Sequence, residues 1–327
     1  MVAADNTFLL PRPESQLPAP RGAWRDKVFA RVVLAAAVVV LVILALIAWS
    51  TANEAWPAFQ HEGLRFIFTN RWNPAKGEFG GLAFIYGTLV ISLIAIVIAV
   101  PISAGIALFT TEVAPKRLRK PLVYVVDLLA VVPSVVFGLW GLNVLGPMLN
   151  KKYISIANFF HGVPVLSTIF SKPAGNKAIM TAGIILAIMI TPILISLMRE
   201  IFSTVPSALK EAAYGLGATR WEMIRAAVIS HSKSGMISSI MIGLGRAMGE
   251  TIAVALVIGS SPQITAKLFG PGDAMASVIA NNFGEAEAGS TLRAALIGLG
   301  VVLFVITILI GAGARAVLNR SAKKLAS

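Results

Sequence analysis

The sequence predicts an all-α integral membrane protein with six transmembrane helices, and three observations carry that prediction. Hydrophobic residues make up 57% of the 327 and charged residues only 13%, against roughly 45–50% and 25% in soluble domains; the mean hydropathy is +0.81. Six apolar runs, each long enough to cross a hydrocarbon core of about 30 Å, are separated by polar connections. The basic residues gather in alternate connections, as membrane orientation demands. That gathering also accounts for the formal net charge of +13. Lys and Arg flank apolar runs, so the expected partner is membrane lipid and not nucleic acid. There is no cysteine, and neither disulfides nor thiolate metal sites contribute.

Residues 1–31 are polar, carry Pro11, Pro13, Pro18 and Pro20, and place Arg21, Arg25, Lys27 and Arg31 ahead of the first apolar run. They read as a disordered cytoplasmic tail. The run at 32–49 is too long and too far from the start for a signal peptide, whose apolar core is about 7–15 residues, so it is a retained first span. Residues 50–81, with Trp56, Pro57, Trp72, Asn73 and Pro74, read as an external loop with interfacial aromatics. An 82–317 core of five further helices follows.

The second span is kinked at Pro101 and ends in the basic loop of Lys116, Arg117, Arg119 and Lys120. The third runs to about residue 149 and is interrupted at Pro133 and Ser134; its lone acid, Asp127, reads as a carboxylate near a helix N-terminus within reach of headgroups. Residues 150–177 form an external loop whose apolar stretch HGVPVLSTIF either re-enters the membrane or packs on the spans. The fourth span, 178–198, contains Thr191 and Pro192. A cytoplasmic loop at 199–234 leads to the fifth. Residues 260–291 form an external loop, the sixth span covers 292–317, and 318–327 is a second cytoplasmic tail. The termini and the 199–234 loop share the side richer in Lys and Arg, which makes them cytoplasmic. Lys151, Lys152, Lys172 and Lys177 dissent.

The stretch 207–259 holds the functional signals. Leu209, Ala212, Ala213 and Leu216 share one helical face, with Lys210 and Glu211 beside it. Gly217 and Ala218 break that helix, and Thr219-Arg220-Trp221-Glu222 has the capping-box form that starts another. Past Gly235 the chain turns apolar yet carries Arg246 about eleven residues in, roughly 16 Å deep at ~1.5 Å per residue. A central Arg costs roughly 2.5–3.5 kcal/mol, and Glu250 is expected one turn further on the same face as its ion-pair partner. The pair either pins the helix to its neighbours or marks a solute path. The Gly245-x-x-x-Gly249 spacing admits a close helix, and a guanidinium fork suits an oxyanion, which favours the path. Arg246, Glu250, Ser134 and Thr251 are the candidate pathway residues. His61, His161 and His231 have no partners at ligand spacing, so no metal site is expected.

Glu211-Ala212-Ala213, three residues and then Gly217 resembles the EAA loop of ABC importer permeases, which in that family docks on the ATP-hydrolysing subunit. The family motif continues with Ile-x-Leu-Pro, whereas this chain has Ala227-Val228-Ile229-Ser230. KEAAYGLGATRWEMIR, GLGRAMGETIAVALVIG, PSVVFGLWGL, TAGIILAIMITP and VIANNFGEA are similar to the PstC-type permeases of phosphate ABC importers, over about residues 80–317. Sulfate and molybdate permeases would be expected to follow Gly-Glu with Phe-Gly, where this chain has Thr251-Ile252.

The resemblance implies a type I ABC importer permease (MetI-like) fold with a cytoplasmic coupling helix, in which Glu211, Ala212, Ala213 and Gly217 meet the ATPase. It implies phosphate import across the bacterial plasma (inner) membrane, with both termini cytoplasmic. The implied partners are a homologous second permease (PstA type), a cytoplasmic ATPase dimer (PstB type) and an external phosphate-binding protein (PstS type). The chain has no Gly-x-x-x-x-Gly-Lys-[Ser/Thr] phosphate loop, so it is not itself an enzyme; ATP and Mg belong to the partner ATPase and no cofactor is expected here. The alternatives are a permease for another oxyanion, sulfate or molybdate, and an uncoupled anion channel, which leaves the Glu211 helix without a purpose.

Overall fold

The computed structural model describes the backbone of residues 23–326 and the side chains of residues 24–316. Residues 1–22 of the expected disordered tail lie outside the described residues, as do the side chains of the 318–327 tail. The chain divides after Thr51 into two compact units. The first holds the apolar part of α1 (Ala23–Glu62), along which no described side chain is buried; a helix apolar all round is made for lipid or for another chain.

α1 departs from the expected boundaries at both ends. It begins inside the 1–31 tail and takes in the first part of the 50–81 loop, running through Pro57. Residues 23–31 contain neither Gly nor Pro, so a helix nucleated in the apolar run propagates out of it until Gly63, at φ +58, ends it.

The second unit opens with α2 (Arg65–Phe68) and a short antiparallel hairpin of β1 (Trp72–Asn73) and β2 (Glu78–Phe79), with Trp72 opposite Phe79. Helix α3 (Leu82–Leu108) passes through Pro101 and continues as a π-turn to Val113. After α4 (Lys116–Val131) comes α5 (Ser134–Trp140), a π-turn, and α6 (Gly146–Phe159). The short α7 (Pro164–Ile169) precedes α8 (Ile179–Ser203), which contains Pro192. Then follow α9 (Ser207–Gly215), α10 (Arg220–Met223) with a π-turn over Ile224–Ile229, α11 (Ser230–Gly249) and α12 (Ile252–Ile258). α13 (Met275–Asn282) and α14 (Thr291–Ala326) complete the chain.

Among the described residues, four helices are long and apolar enough to cross a membrane by themselves, and the number reaches six if two bent pairs each make one crossing. The pairs are α4 with α5–α6, bent by 87°, and α10–α11 with α12, bent by 61°. The first bend falls where Pro133 denies its amide to the helix. α6 carries the chain helically past residue 150, into the expected external loop, and α13 forms inside the 260–291 loop.

α3 and α8 form the centre of the second unit, with α11 and α12 against them. Ile91, Ala95, Ala99, Ala182, Ile185, Leu186, Ile190, Leu194, Val254 and Val257 are all buried there. The contact is close because α8 offers Gly183, whose missing Cβ would lie 2.5 Å from Ile94 Cγ2. Ser103 Oγ donates to the Thr191 carbonyl at 3.2 Å, tying the two helices beside their prolines. The apolar stretch at 161–170 packs on the chain: Leu268 N donates to Ile169 O at 3.0 Å, and Phe170 and Tyr153 lie against Phe269.

Candidate functional site: a broken helix and an exposed handle

α11 stops at Gly249. Glu250 is extended, at φ −70 and ψ 126, Thr251 follows at φ −108 and ψ −68, and the chain re-enters helix at Ile252. Local chemistry explains the break. Gly245 and Gly249 weaken the last turn, and Thr251 Oγ1 donates to the Gly249 carbonyl at 3.2 Å, in competition with the helical ladder.

The break overturns the expected intrahelical pair. Arg246 is exposed on the last turn and Glu250 is half-buried beyond it, and they make no ion pair among the described residues. An i,i+4 contact needs unbroken helix between its members, and here the helix ends first. The expected close approach at Gly245 and Gly249 also moves. Leu194 presses on Gly243 instead, where an added Cβ would meet its Cδ2 at 2.8 Å, while a Cβ at Gly245 would stand 4.0 Å from Thr307 Cγ2 and Gly249 faces open space.

Ser134 comes to the same level by packing. α5 lies alongside α12 in the same direction: a Cβ at Gly138 would stand 2.9 Å from Ala253 Cα, and one at Gly141 3.2 Å from Val257 Cγ1. One turn back along both helices, that register sets the Pro133–Ser134 break beside the Glu250–Thr251 break. Three of the four candidate pathway residues therefore share one level, and Arg246 lies a turn below. Asp127, the lone acid of the third span, accepts a hydrogen bond from Ser196 Oγ at 3.1 Å.

The handle is α9, its turn and α10. Gly217 takes φ +83, a left-handed conformation that other residues adopt at a cost of roughly 1–2 kcal/mol. The capping box forms as the sequence implies: Thr219 Oγ1 accepts from Glu222 N at 3.4 Å, and Glu222 Oε2 accepts from Thr219 N at 2.8 Å. Ala213 packs into a cluster with Met198, Phe202, Met223 and Val228. Glu211, Ala212 and Gly217 are exposed, and Leu216 is 90% exposed. A shallow cleft of about 370 Å³ opens between Leu209, Ala212, Leu216 and Ala226. An apolar cleft of this kind is what a partner surface covers.

One contact of the handle was invisible to sequence reasoning. Lys210 Nζ lies 2.7 Å from Glu112 Oε1, and the Glu112 side chain is only 8% exposed. Glu112 is on the π-turn that ends α3, so a part-buried ion pair ties the handle to the central helix. The available signal was a single acid closing an apolar run, just ahead of a basic loop.

The family model described as "Binding-protein-dependent transport system inner membrane component" matches residues 99–324. The chain belongs to this family. The protein named "Phosphate transport system permease protein PstC" of Mesorhizobium japonicum is 45% identical over 301 residues, covering 92% of each chain. Its namesake in Xylella fastidiosa is 43% identical over 305 residues, covering 93% of this chain and 94% of that protein. Among solved structures, a chain of a bacterial alginate ABC transporter, in complex with alginate pentasaccharide-bound periplasmic protein, superposes with a TM-score of 0.56 at 17% identity. It covers 93% of this chain and 99% of that one. At that identity the likeness shows the fold alone, a helical ABC permease fold. The broken helix and the handle are therefore parts of an inner-membrane component.

Proposed function

We propose that this chain is the permease subunit of an ATP-driven importer that moves inorganic phosphate across the bacterial plasma membrane into the cytoplasm. The two relatives named for phosphate transport, at 45% and 43% identity over most of the chain, support the substrate. The observation that carries the conduction reading is Arg246, exposed and without an ionic partner among the described residues, on the turn before the helix breaks.

In this reading the two bent pairs each make one crossing, giving six spans, with both termini and the 199–234 loop cytoplasmic as the basic residues favour. The coupling helix is α9, and Glu211, Ala212, Ala213 and Gly217 meet a cytoplasmic ATPase dimer (PstB type). That dimer binds ATP and Mg and does the hydrolysis; this chain contributes no catalytic group and binds no cofactor. A homologous second permease (PstA type) covers the open face around Arg246 and Gly249, and an external phosphate-binding protein (PstS type) delivers the anion.

The guanidinium fork takes phosphate through two parallel hydrogen bonds. Glu250, freed from an ion pair by the helix break, limits retention by repulsion from the far side of the break. Ser134 and Thr251 line the same constriction with hydroxyls. Weak holding serves transport, because a deep energy well at the constriction would slow release. Radiolabelled phosphate uptake tests the reading. Arg246→Ala should abolish uptake, and Arg246→Lys should recover little because a point charge lacks the fork. Unimpaired uptake by Arg246→Ala in an assembled complex refutes it.

A further inference from the structure

Outside the Glu250–Thr251 break the structure holds a cavity of mixed polar and apolar lining, a chamber of about 530 Å³ that sequence reasoning did not foresee. Its inner wall is Ala255 and Leu256 of α12. At ~1.5 Å per residue, Leu256 lies about 7.5 Å along the helix from Thr251, so the chamber stands next to the constriction on its outer side. Trp72 and Phe84 form an aromatic flank. Pro262 and Val278 add apolar surface, and the polar lining is Ser260, Asn281 and Asn282 with two charged groups, Lys177 and Asp273.

The polar groups are arranged. Lys177 leads into α8 and makes no ion pair among the described residues. Its neighbour Ala178 is fastened by a hydrogen bond from its amide to the Val257 carbonyl at 3.1 Å, which fixes the lysine's stem at the mouth. Ser260 is held at φ 48, the one positive φ of a non-glycine residue among the described residues, and strain of this kind gathers at ligand sites. Its Oγ accepts from Asn281 Nδ2 at 3.2 Å, so its own proton remains free to donate. Asp273 is 5% exposed and anchored by the Ala274 amide, which donates to Oδ1 at 2.8 Å. Its backbone presses on α3, where a Cβ at Gly87 would overlap the Asp273 carbonyl.

A cation and hydroxyl or amide donors facing one another across a chamber attract an oxyanion; a carboxylate in the same chamber opposes one, unless that anion carries a proton. Phosphate near neutral pH always carries at least one O–H and sulfate carries none. We propose that the outer chamber is a selecting station for hydrogen-bearing oxyanions. Lys177, Ser260 and Asn281 draw the anion in, and Asp273 accepts the hydrogen bond of an O–H that phosphate has and sulfate lacks. This rests on the reading of the chain as the phosphate permease and adds a second, shallower stop on the path. Burial pushes the Asp273 carboxyl up from 3.8 to about 6, with the Ala274 amide pulling the other way. Above that pH it is the acceptor that selection requires; below it, the group becomes a donor that tolerates sulfate. Among the described residues, Lys177 is the only other charged group lining the chamber, and α3, α12 and α13 bring none.

Equilibrium dialysis of radiolabelled inorganic phosphate and sulfate tests the proposal directly. It uses the purified permease–ATPase complex in lipid nanodiscs, without the external binding protein, in an Arg246→Ala background that silences the deeper site. At pH 7.5 the complex should bind phosphate saturably and sulfate at least about ten-fold more weakly, since a site built for a donor rejects an analogue without one. Lys177→Met, which keeps the stem and removes the charge, should weaken phosphate binding by about ten-fold or more, and Lys177→Arg should restore most of it. Asp273→Asn should bind the two anions within about a factor of two, and so should the parent complex at pH 5. Phosphate binding unchanged in Lys177→Met, discrimination unchanged in Asp273→Asn, or no saturable phosphate binding at all would overturn the proposal. Because the readout is binding with Arg246 removed, its failure leaves the uptake test of the permease reading untouched, and the reverse holds too.

Discussion

The ion pair between Lys210 and Glu112 carries the most exacting prediction, because the two partners are unequally buried. Nζ and Oε1 are 2.7 Å apart, with side-chain exposures of 23% for Lys210 and 8% for Glu112. At an effective dielectric of about 20 the gross attraction over that distance is roughly 6 kcal/mol, most of it offset by desolvation of the two ions. Deleting one partner of such a pair costs about 3–5 kcal/mol, because the other charge is left buried. Lys210→Met strands Glu112, the less exposed partner, and should approach the lower end of that range. Glu112→Gln leaves an ammonium that can swing to water, so its cost should be smaller, about 1–2 kcal/mol. The handle is attached to α3 through this pair and to α8 through Ala213, so loosening it should let the ATPase move the handle without moving the central helices. In proteoliposomes, uptake should fall while ATP hydrolysis persists, raising the ATP consumed per phosphate. The effect should be larger for Lys210→Met, and Lys210→Glu with Glu112→Lys should bring the ratio most of the way back. Wild-type ratios in both single variants, or an equal fall of hydrolysis and uptake in both, would refute a coupling role.

Three more outcomes follow from the same structure. Since the folded pKa of Asp273, about 6, stands above its ordinary 3.8, its ionisation opposes folding: stability is lost as pH rises from 3.8 through 6 and stays lost above, by about 3 kcal/mol. Asp273→Asn should therefore flatten the pH dependence of thermal unfolding between pH 4.5 and 8, and an unchanged difference between the two pH values would contradict the burial argument. Gly138→Ala puts a methyl group 2.9 Å from Ala253 Cα, forcing α5 off α12 at a cost of about 1–3 kcal/mol; it should slow uptake by separating the two breaks, with assembly checked by size-exclusion chromatography. A Glu in place of the exposed Ala212 or of Gly217 should abolish uptake and co-purification with the ATPase while the chain still inserts, and retained co-purification in both variants would count against docking through this face.

How much of this was legible beforehand depends on the range of the interactions involved. The apolar runs could be read directly, because the cost of crossing a bilayer is additive over about 20 consecutive residues and needs no knowledge of neighbours. The handle was legible for a similar reason. The capping box of Thr219 and Glu222 and the left-handed turn at Gly217 are settled within four residues of chain. The first helix outran its expected bounds on both sides because sequence reading stopped it where polarity changed, whereas propagation stops only at a residue such as Gly63.

The presence of Arg246 inside an apolar run was also readable, but its environment was not. Periodicity extended α11 through Glu250 and created an ion pair; Thr251 turning its hydroxyl onto the Gly249 carbonyl, with two glycines in the last turn, ended the helix one residue too soon for it. Everything else at the site depends on residues distant in the chain. Lys210 and Glu112 are 98 positions apart, and Ser134 reaches the level of Thr251 only because Gly138 and Gly141 let α5 settle onto α12. The hydrophobic pattern determined which segments leave water. Only the tertiary structure decided which charges share a cavity, since desolvation and Coulomb attraction act through space and leave no period in the sequence.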